Sequence, residues 1–250
     1  MKLLLSNDDG IDATGIQTLE KAVGALGTVW VVAPESEQSA TSHALTMHKP
    51  LRARPRGEGR WAVTGTPADC IYLALHHLLP ERPDLVLSGI NRGSNLGNDV
   101  FYSGTVAAAM EACFNGLPSV AVSLHIEPED RTNHWETAAR VAVRVAQGVA
   151  SSPLPERVLL NVNVPNVPYE GLRGIKVTAL GQRTYAPLVD LRTDPRGRRY
   201  YWIGGAHEEF APIEGTDGPA IEQKWATVTP FRPDLTYAPA FEALRAWADE

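Results

Sequence analysis

A chain of 250 residues, 44% hydrophobic and 21% charged, has the make-up of a soluble globular protein that can bury its own core without staples. Its formal charge of −6 argues against a nucleic-acid polymer as partner, since that asks for a basic surface, but leaves small anions open because a metal or a helix end reverses the local field. The two cysteines, Cys70 and Cys113, lie in apolar helical patterns and read as buried thiols, and neither a leader-type segment nor a membrane span is present, so the expected location is cytoplasmic with no membrane partner.

In chain order, residues 2–6 form an apolar strand that runs straight into Asn7-Asp8-Asp9-Gly10. An amphipathic helix follows over 15–23, with Ile16, Leu19, Ala22 and Val23 on one side, and then a buried strand over 29–33 that stops at Pro34. The stretch 35–43 is polar and rich in Ser and Thr, and 45–54 with 61–65 form a hairpin-like excursion. Thr66-Pro67 opens a helix, with proline near the first position as helix starts prefer. Residues 84–88 form another short strand, followed by a glycine-, asparagine- and serine-rich loop over 89–103. Gly104-Thr105 leads into a small-residue helix over 106–114; a strand over 119–123, a helix over 135–149 and a strand over 157–162, closed by Pro165, complete the series. Strands alternating with helices predict βαβ units and a mostly parallel sheet.

Beyond about residue 168 the pattern changes. Residues 173–183, 184–192 and 198–204 read as strands separated by turns, Thr216-Asp217 as the start of a short helix, 225–228 as a strand and 239–247 as a terminal helix. This predicts a core over 1–167 and a β-rich extension over 168–250, either separate or packed on the core as one domain. An exposed hairpin in the extension is a candidate arm for oligomerisation.

Polar clusters follow several of the core strands. Ligands of open α/β sheets bind beyond the carboxyl ends of the strands, and two adjacent carboxylates there call for a cation or a shared proton. If the strands are parallel neighbours, Asp8, Asp9, Ser39 and Asn91 converge as an oxygen-only shell of the kind that suits Mg²⁺ or Mn²⁺. Each has a plainer reading: the acid pair and Asn91 as turn formers, Ser39 as a solvated loop serine. Ser103-Gly104-Thr105 at a helix start is a natural phosphate site, or simply a cap. No Walker loop or dinucleotide fingerprint is present. None of the seven histidines has metal-ligand spacing, and a Gly-x-Ser-x-Gly elbow is lacking.

The combination of Ser6-Asn7-Asp8-Asp9-Gly10, Ala33-Pro34 with Ser39, Val63-Thr64-Gly65-Thr66-Pro67-Ala68-Asp69-Cys70, Ser88-Gly89-Ile90-Asn91-Arg92-Gly93 and Tyr102-Ser103-Gly104-Thr105-Val106 resembles the survival protein SurE family, and Leu160-Asn161-Val162-Asn163-Val164-Pro165 and Val228-Thr229-Pro230 extend the likeness over nearly the whole chain. The resemblance implies a Rossmann-like α/β core with an extension used to form dimers or tetramers. It also implies divalent-metal-dependent hydrolysis of 5′- and 3′-nucleoside monophosphates to nucleoside and inorganic phosphate, with exopolyphosphatase as a side activity. The implied metal ligands are Asp8, Asp9, Ser39 and Asn91 around one cation per subunit, Mg²⁺ or Mn²⁺. Site chemistry then puts Asn91, Ser103, Gly104 and Thr105 at the phosphate and gives Asp8 and Asp9 the catalytic role, with a metal-activated water as the preferred attacking group and one of the two acids as the alternative. Two other readings stand beside this one: a non-catalytic nucleotide sensor, and a broad-specificity acid phosphatase. Phe101 or Tyr102 could stack a base, or serve as core or interface residues.

Overall fold

The computed structural model describes residues 1–185, 188–204 and 208–248. In chain order the elements are β1 (Lys2–Ser6), α1 (Thr14–Val23), β2 (Thr28–Pro34), β3 (Ala53–Pro55), β4 (Arg60–Val63), α2 (Pro67–Leu73), β5 (Leu85–Arg92), α3 (Gly104–Phe114), β6 (Ser119–His125), α4 (Trp135–Ser151) and β7 (Leu159–Pro165). They are followed by β8 (Gly174–Val177), β9 (Arg183–Tyr185), β10 (Leu188–Thr193), β11 (Arg199–Gly204), β12 (Glu208–Phe210), α5 (Asp217–Glu222), β13 (Trp225–Phe231) and α6 (Phe241–Ala248).

One nine-stranded sheet dominates, in the order β3-β4-β2-β1-β5-β6-β7-β13-β8. β1 pairs in parallel with both β2 and β5, and β5, β6 and β7 continue in parallel. The chain therefore winds outward from β1 in one direction and then in the other. The crevice between β1 and β5 is a topological switch point, where open α/β sheets bind their ligands.

Leu3 and Leu5 of β1 face one cluster with Ile16 and Leu19 of α1 and Val141 and Ala142 of α4, while Leu4 faces a second cluster with Ile71 of α2 and Ala108 and Ala112 of α3. Alternating side chains thus dress both faces of each strand, the signature of a sheet covered by helices on both sides. Gly15 lets α1 lie hard against the sheet: a Cβ there would sit 1.9 Å from the carbonyl oxygen of Ile90.

Three expectations are revised. The loop over 89–103 is strand as far as Arg92, because a register shift between Ser88 and Asn91 resumes the pairing with β6, and Gly89 (φ +139°) supplies the backbone turn that this requires. The predicted strand over 173–183 is short, ending at Val177. The C-terminal strands are not a purely antiparallel group: β13 lies antiparallel to β7 but parallel to β8, and both extend the main sheet. The predicted hairpin forms from β10 and β11. Residues 186 and 187 of the predicted 184–192 strand, and His207, lie outside the described residues. Both cysteines are free and buried, and among the described residues no helix is long and apolar enough to cross a membrane.

Candidate active site at the switch point

Asn7, Asp8, Asp9 and Gly10 form the turn that leaves β1. The Asn7 side-chain amide donates to the Gly10 carbonyl (2.8 Å), which closes the turn and aims the two acids in different directions. Asp8 is almost wholly buried, with 4% of its surface exposed. Its Oδ2 accepts from the Thr105 amide (2.9 Å) and its Oδ1 from the Thr105 hydroxyl (2.5 Å). Asp9 is half-buried and accepts from the Arg92 amide (3.0 Å). Each acid is therefore tied to a different neighbouring segment, α3 on one side and the end of β5 on the other.

Ser39 reaches the same place on the loop after β2, which is fastened to β1 where the Gln38 amide donates to the Asp8 carbonyl (2.7 Å). The Ser39 side chain is exposed, and its hydroxyl donates to Glu37 (2.7 Å). Asn91, at the end of β5, uses its amide nitrogen on the Gly93 carbonyl (2.8 Å), which turns its carbonyl oxygen away from that loop. Ser103 caps α3 by accepting from the Val106 amide (3.1 Å). Gly104 is needed for space: a Cβ there would lie 2.9 Å from the Cβ of Asp8.

Asp8, Ser39, Asn91 and Ser103 line one cleft of about 310 Å³. Asp9, Gly104 and Thr105 do not line its wall; Gly104 and Thr105 are buried behind Asp8. Both donors of Thr105, expected at the phosphate, are engaged by Asp8 instead, because the N-terminus of α3 abuts the buried carboxylate and satisfies it. Tyr102 stands at the rim with 66% of its surface exposed and Phe101 with 53%, so neither is a core residue.

The cleft also holds residues that the sequence reading missed. Asn95, Asp99 and Arg183 line it, and the Arg183 guanidinium pairs with Asp99. Asn95 follows Gly93-Ser94, where turn composition hides any other role. Arg183 arrives from the C-terminal segment, and nothing in its local sequence points to the cleft.

Burial pushes the Asp8 carboxyl up to about 6 and the nearby Asp9 charge adds to this, while the Thr105 bonds oppose it. Burial also raises Asp9, against the pull of the Arg92 amide. Close by, the Asn7 side-chain oxygen is buried without a hydrogen-bond partner. These acceptors at one strand end form a place that a cation would relieve. Among the described residues no three His, Cys, Asp or Glu gather to hold a metal, at this site or any other; the donors on offer here are two carboxylates with hydroxyl and amide oxygens. That donor set fits a hard divalent ion and does not fit structural zinc.

A family model described as survival protein SurE matches residues 3–187. A protein from Pelobacter propionicus named 5′-nucleotidase SurE is 50% identical over 247 residues, covering 99% of each chain. One of the same name from Coxiella burnetii is 47% identical over 247 residues, covering 99% of this chain and 95% of that one. The crystal structure of the SurE protein from Aquifex aeolicus superposes with a TM-score of 0.87 at 42% identity, covering 98% of this chain and 99% of that one.

Proposed function

The chain belongs to the survival protein SurE family, and from that premise we propose that it is a phosphoric monoester hydrolase that converts nucleoside monophosphates to nucleoside and inorganic phosphate. The observation that carries this reading is the shared cleft at the switch point, where the buried Asp8 faces Ser39, Asn91 and the Ser103 start of α3.

In this reading Asp8, Asp9, Ser39 and Asn91 would hold one divalent cation per subunit, Mg²⁺ or Mn²⁺, which when bound would supply charge neutralisation at the phosphoryl group and acidify water. The protein's own groups do the rest. Ser103, Gly104 and Asn91 orient the phosphate and stabilise charge that develops on its oxygens. Thr105 holds Asp8 in place through two bonds and meets a phosphate oxygen only if it releases one of them. Water is the attacking group, since carboxylates committed to a cation and to Thr105 are poor nucleophiles. The exposed ring of Tyr102 offers a stacking face for the base. Because the donors on the wall address phosphate, we extend the reading to 3′- as well as 5′-monophosphates, and to the terminal group of polyphosphate as a side activity. The two free, buried cysteines fit a reducing compartment, which supports the cytoplasm as the place of action.

We also assign the exposed apolar surface of the C-terminal segment to contacts between copies of the chain, as a dimer or tetramer. Val189, Trp202 and Ile203 of the β10–β11 hairpin are 59%, 61% and 92% exposed, and Trp247 of α6 is 66% exposed, more apolar surface than a lone subunit ordinarily shows to water.

Phosphate release from a panel of 5′- and 3′-monophosphates, polyphosphate and p-nitrophenyl phosphate tests the assignment. EDTA should abolish release, and Asp8→Asn should lower kcat by about 10²-fold or more. Full activity in EDTA or in Asp8→Asn would sink the mechanism; equal rates on nucleotides and on simple esters would sink only the substrate class.

A further inference from the structure

The asparagine pair on β7 has no part in the chemistry described so far. Leu160, Val162 and Val164 of that strand enter the main core, while Asn161 and Asn163 point to the opposite face and are both 0% exposed. Burying an amide is unfavourable unless it bonds, and a leucine would pack in its place. What these two amides do is grip one residue. The Asn161 and Asn163 side-chain nitrogens both donate to the Asn95 carbonyl (2.7 and 3.1 Å), and the Asn163 side-chain oxygen accepts from the Asn95 amide (2.8 Å). The Asn161 oxygen has no partner, so that side chain is bonded only through its grip on Asn95. Asn95 itself donates to the Ser123 hydroxyl (2.8 Å).

The register shows what the grip controls. Asn91 of β5, Ser123 of β6 and Asn163 of β7 are consecutive partners in one row across the sheet. Asn95 lies between Asn91 and Ser103, and all three line the cleft. We propose that Asn161 and Asn163 are positioning residues for the hydrolysis: side chains that replace a missing strand partner for Asn95 and so set the wall of the cleft between Asn91 and Ser103. This rests on the hydrolase reading of the same cleft.

Asn161→Leu removes one bond and Asn163→Leu removes two at near-constant volume. Expected in each is a rise in KM for a nucleoside monophosphate, about tenfold for Asn163→Leu and less for Asn161→Leu, with kcat changed less than KM. Amide hydrogen exchange over residues 93–103 should accelerate by about tenfold while β1 and α3 keep their protection. Unchanged KM together with unchanged exchange over 93–103 in Asn161→Leu overturns the proposal, as does protection lost evenly across the sheet. If Asn163→Leu does not fold, Asn161→Leu decides alone. A wild type that releases phosphate from no ester would refute the hydrolase reading, while exchange over 93–103 would still decide whether the pair holds the wall.

Discussion

Burial beside Asp9 raises the Asp8 carboxyl from an ordinary 3.8 to about 6, so the cation-free folded chain holds a proton there that the unfolded chain has already lost. Between those two values the folded state binds more protons, and stability falls as pH rises; above about 6 the Asp8 contribution is flat. The loss is roughly 3 kcal/mol, at about 1.4 kcal/mol per pKa unit. Denaturant melts of cation-free wild type between pH 4 and pH 7 should therefore decline more steeply than those of Asp8→Asn, which keeps only the contributions of other raised carboxyls such as Asp9 and Asp217, and parallel profiles for the two proteins would refute it. A bound divalent cation should remove much of the decline, because it stabilises the ionised form. The acid pair and its place at a strand end were legible in the sequence, because an apolar run before Asn-Asp-Asp-Gly can be read locally. The inequality between the two acids was not legible. It comes from burial beneath the start of α3, where Gly104 closes on Asp8 and Thr105, 97 residues away, donates to it without offsetting that burial.

The segment from Gly93 to Ser103 is held at several points along its length. Beyond Asn95, the Asp217 carboxylate at the start of α5 accepts from the Gly97 amide (2.9 Å), the Gly181 amide (2.8 Å) and the Gly218 amide (2.9 Å) while wholly buried. Burial raises the Asp217 carboxyl and these amides oppose the rise. Asp217→Ala should cost about 2–4 kcal/mol, since it strands amides in the interior. Asp217→Asn should recover less than half of that loss, because its NH₂ would face an N–H. Urea melts of the three proteins check both expectations, and an Asn variant as stable as wild type would sink the account. The sequence shows Thr216-Asp217 as a helix start and 89–103 as a turn-rich loop, and both readings are locally sound. Neither Asn161 nor Asp217 carries any local mark of a bond to residues 66 and 120 positions away. Short-range patterns identify elements, whereas such anchors exist only once the sheet has formed.

At the scale of the molecule, alternation of strands and helices was enough to foresee a mostly parallel sheet flanked by helices. The insertion of β13 between β7 and β8 was not foreseeable, because pairing order leaves no periodic trace. The hairpin gives the assignment between copies its sharpest test. Val189 and Ile203 are cross-strand partners, 59% and 92% exposed, so Asp at both positions would place two charges in any interface built on that ribbon. Light scattering should report an oligomer for wild type and a smaller species for Val189→Asp/Ile203→Asp; a monomeric wild type would end the assignment. The place of β13 has a further consequence for how the molecule is made. A ribosome delivers residues 225–231 well after β7, with β8 to β12 and α5 made in between, yet that strand belongs inside the sheet, against β7. Until it emerges, the outer side of β7 is an open edge ready to pair with a stranger, and the strand that grips Asn95 has only one neighbour. The nascent chain thus carries every candidate ligand by residue 105 but lacks the frame that holds them until residue 231 has been made, so that the candidate site and its frame are completed more than a hundred residues apart.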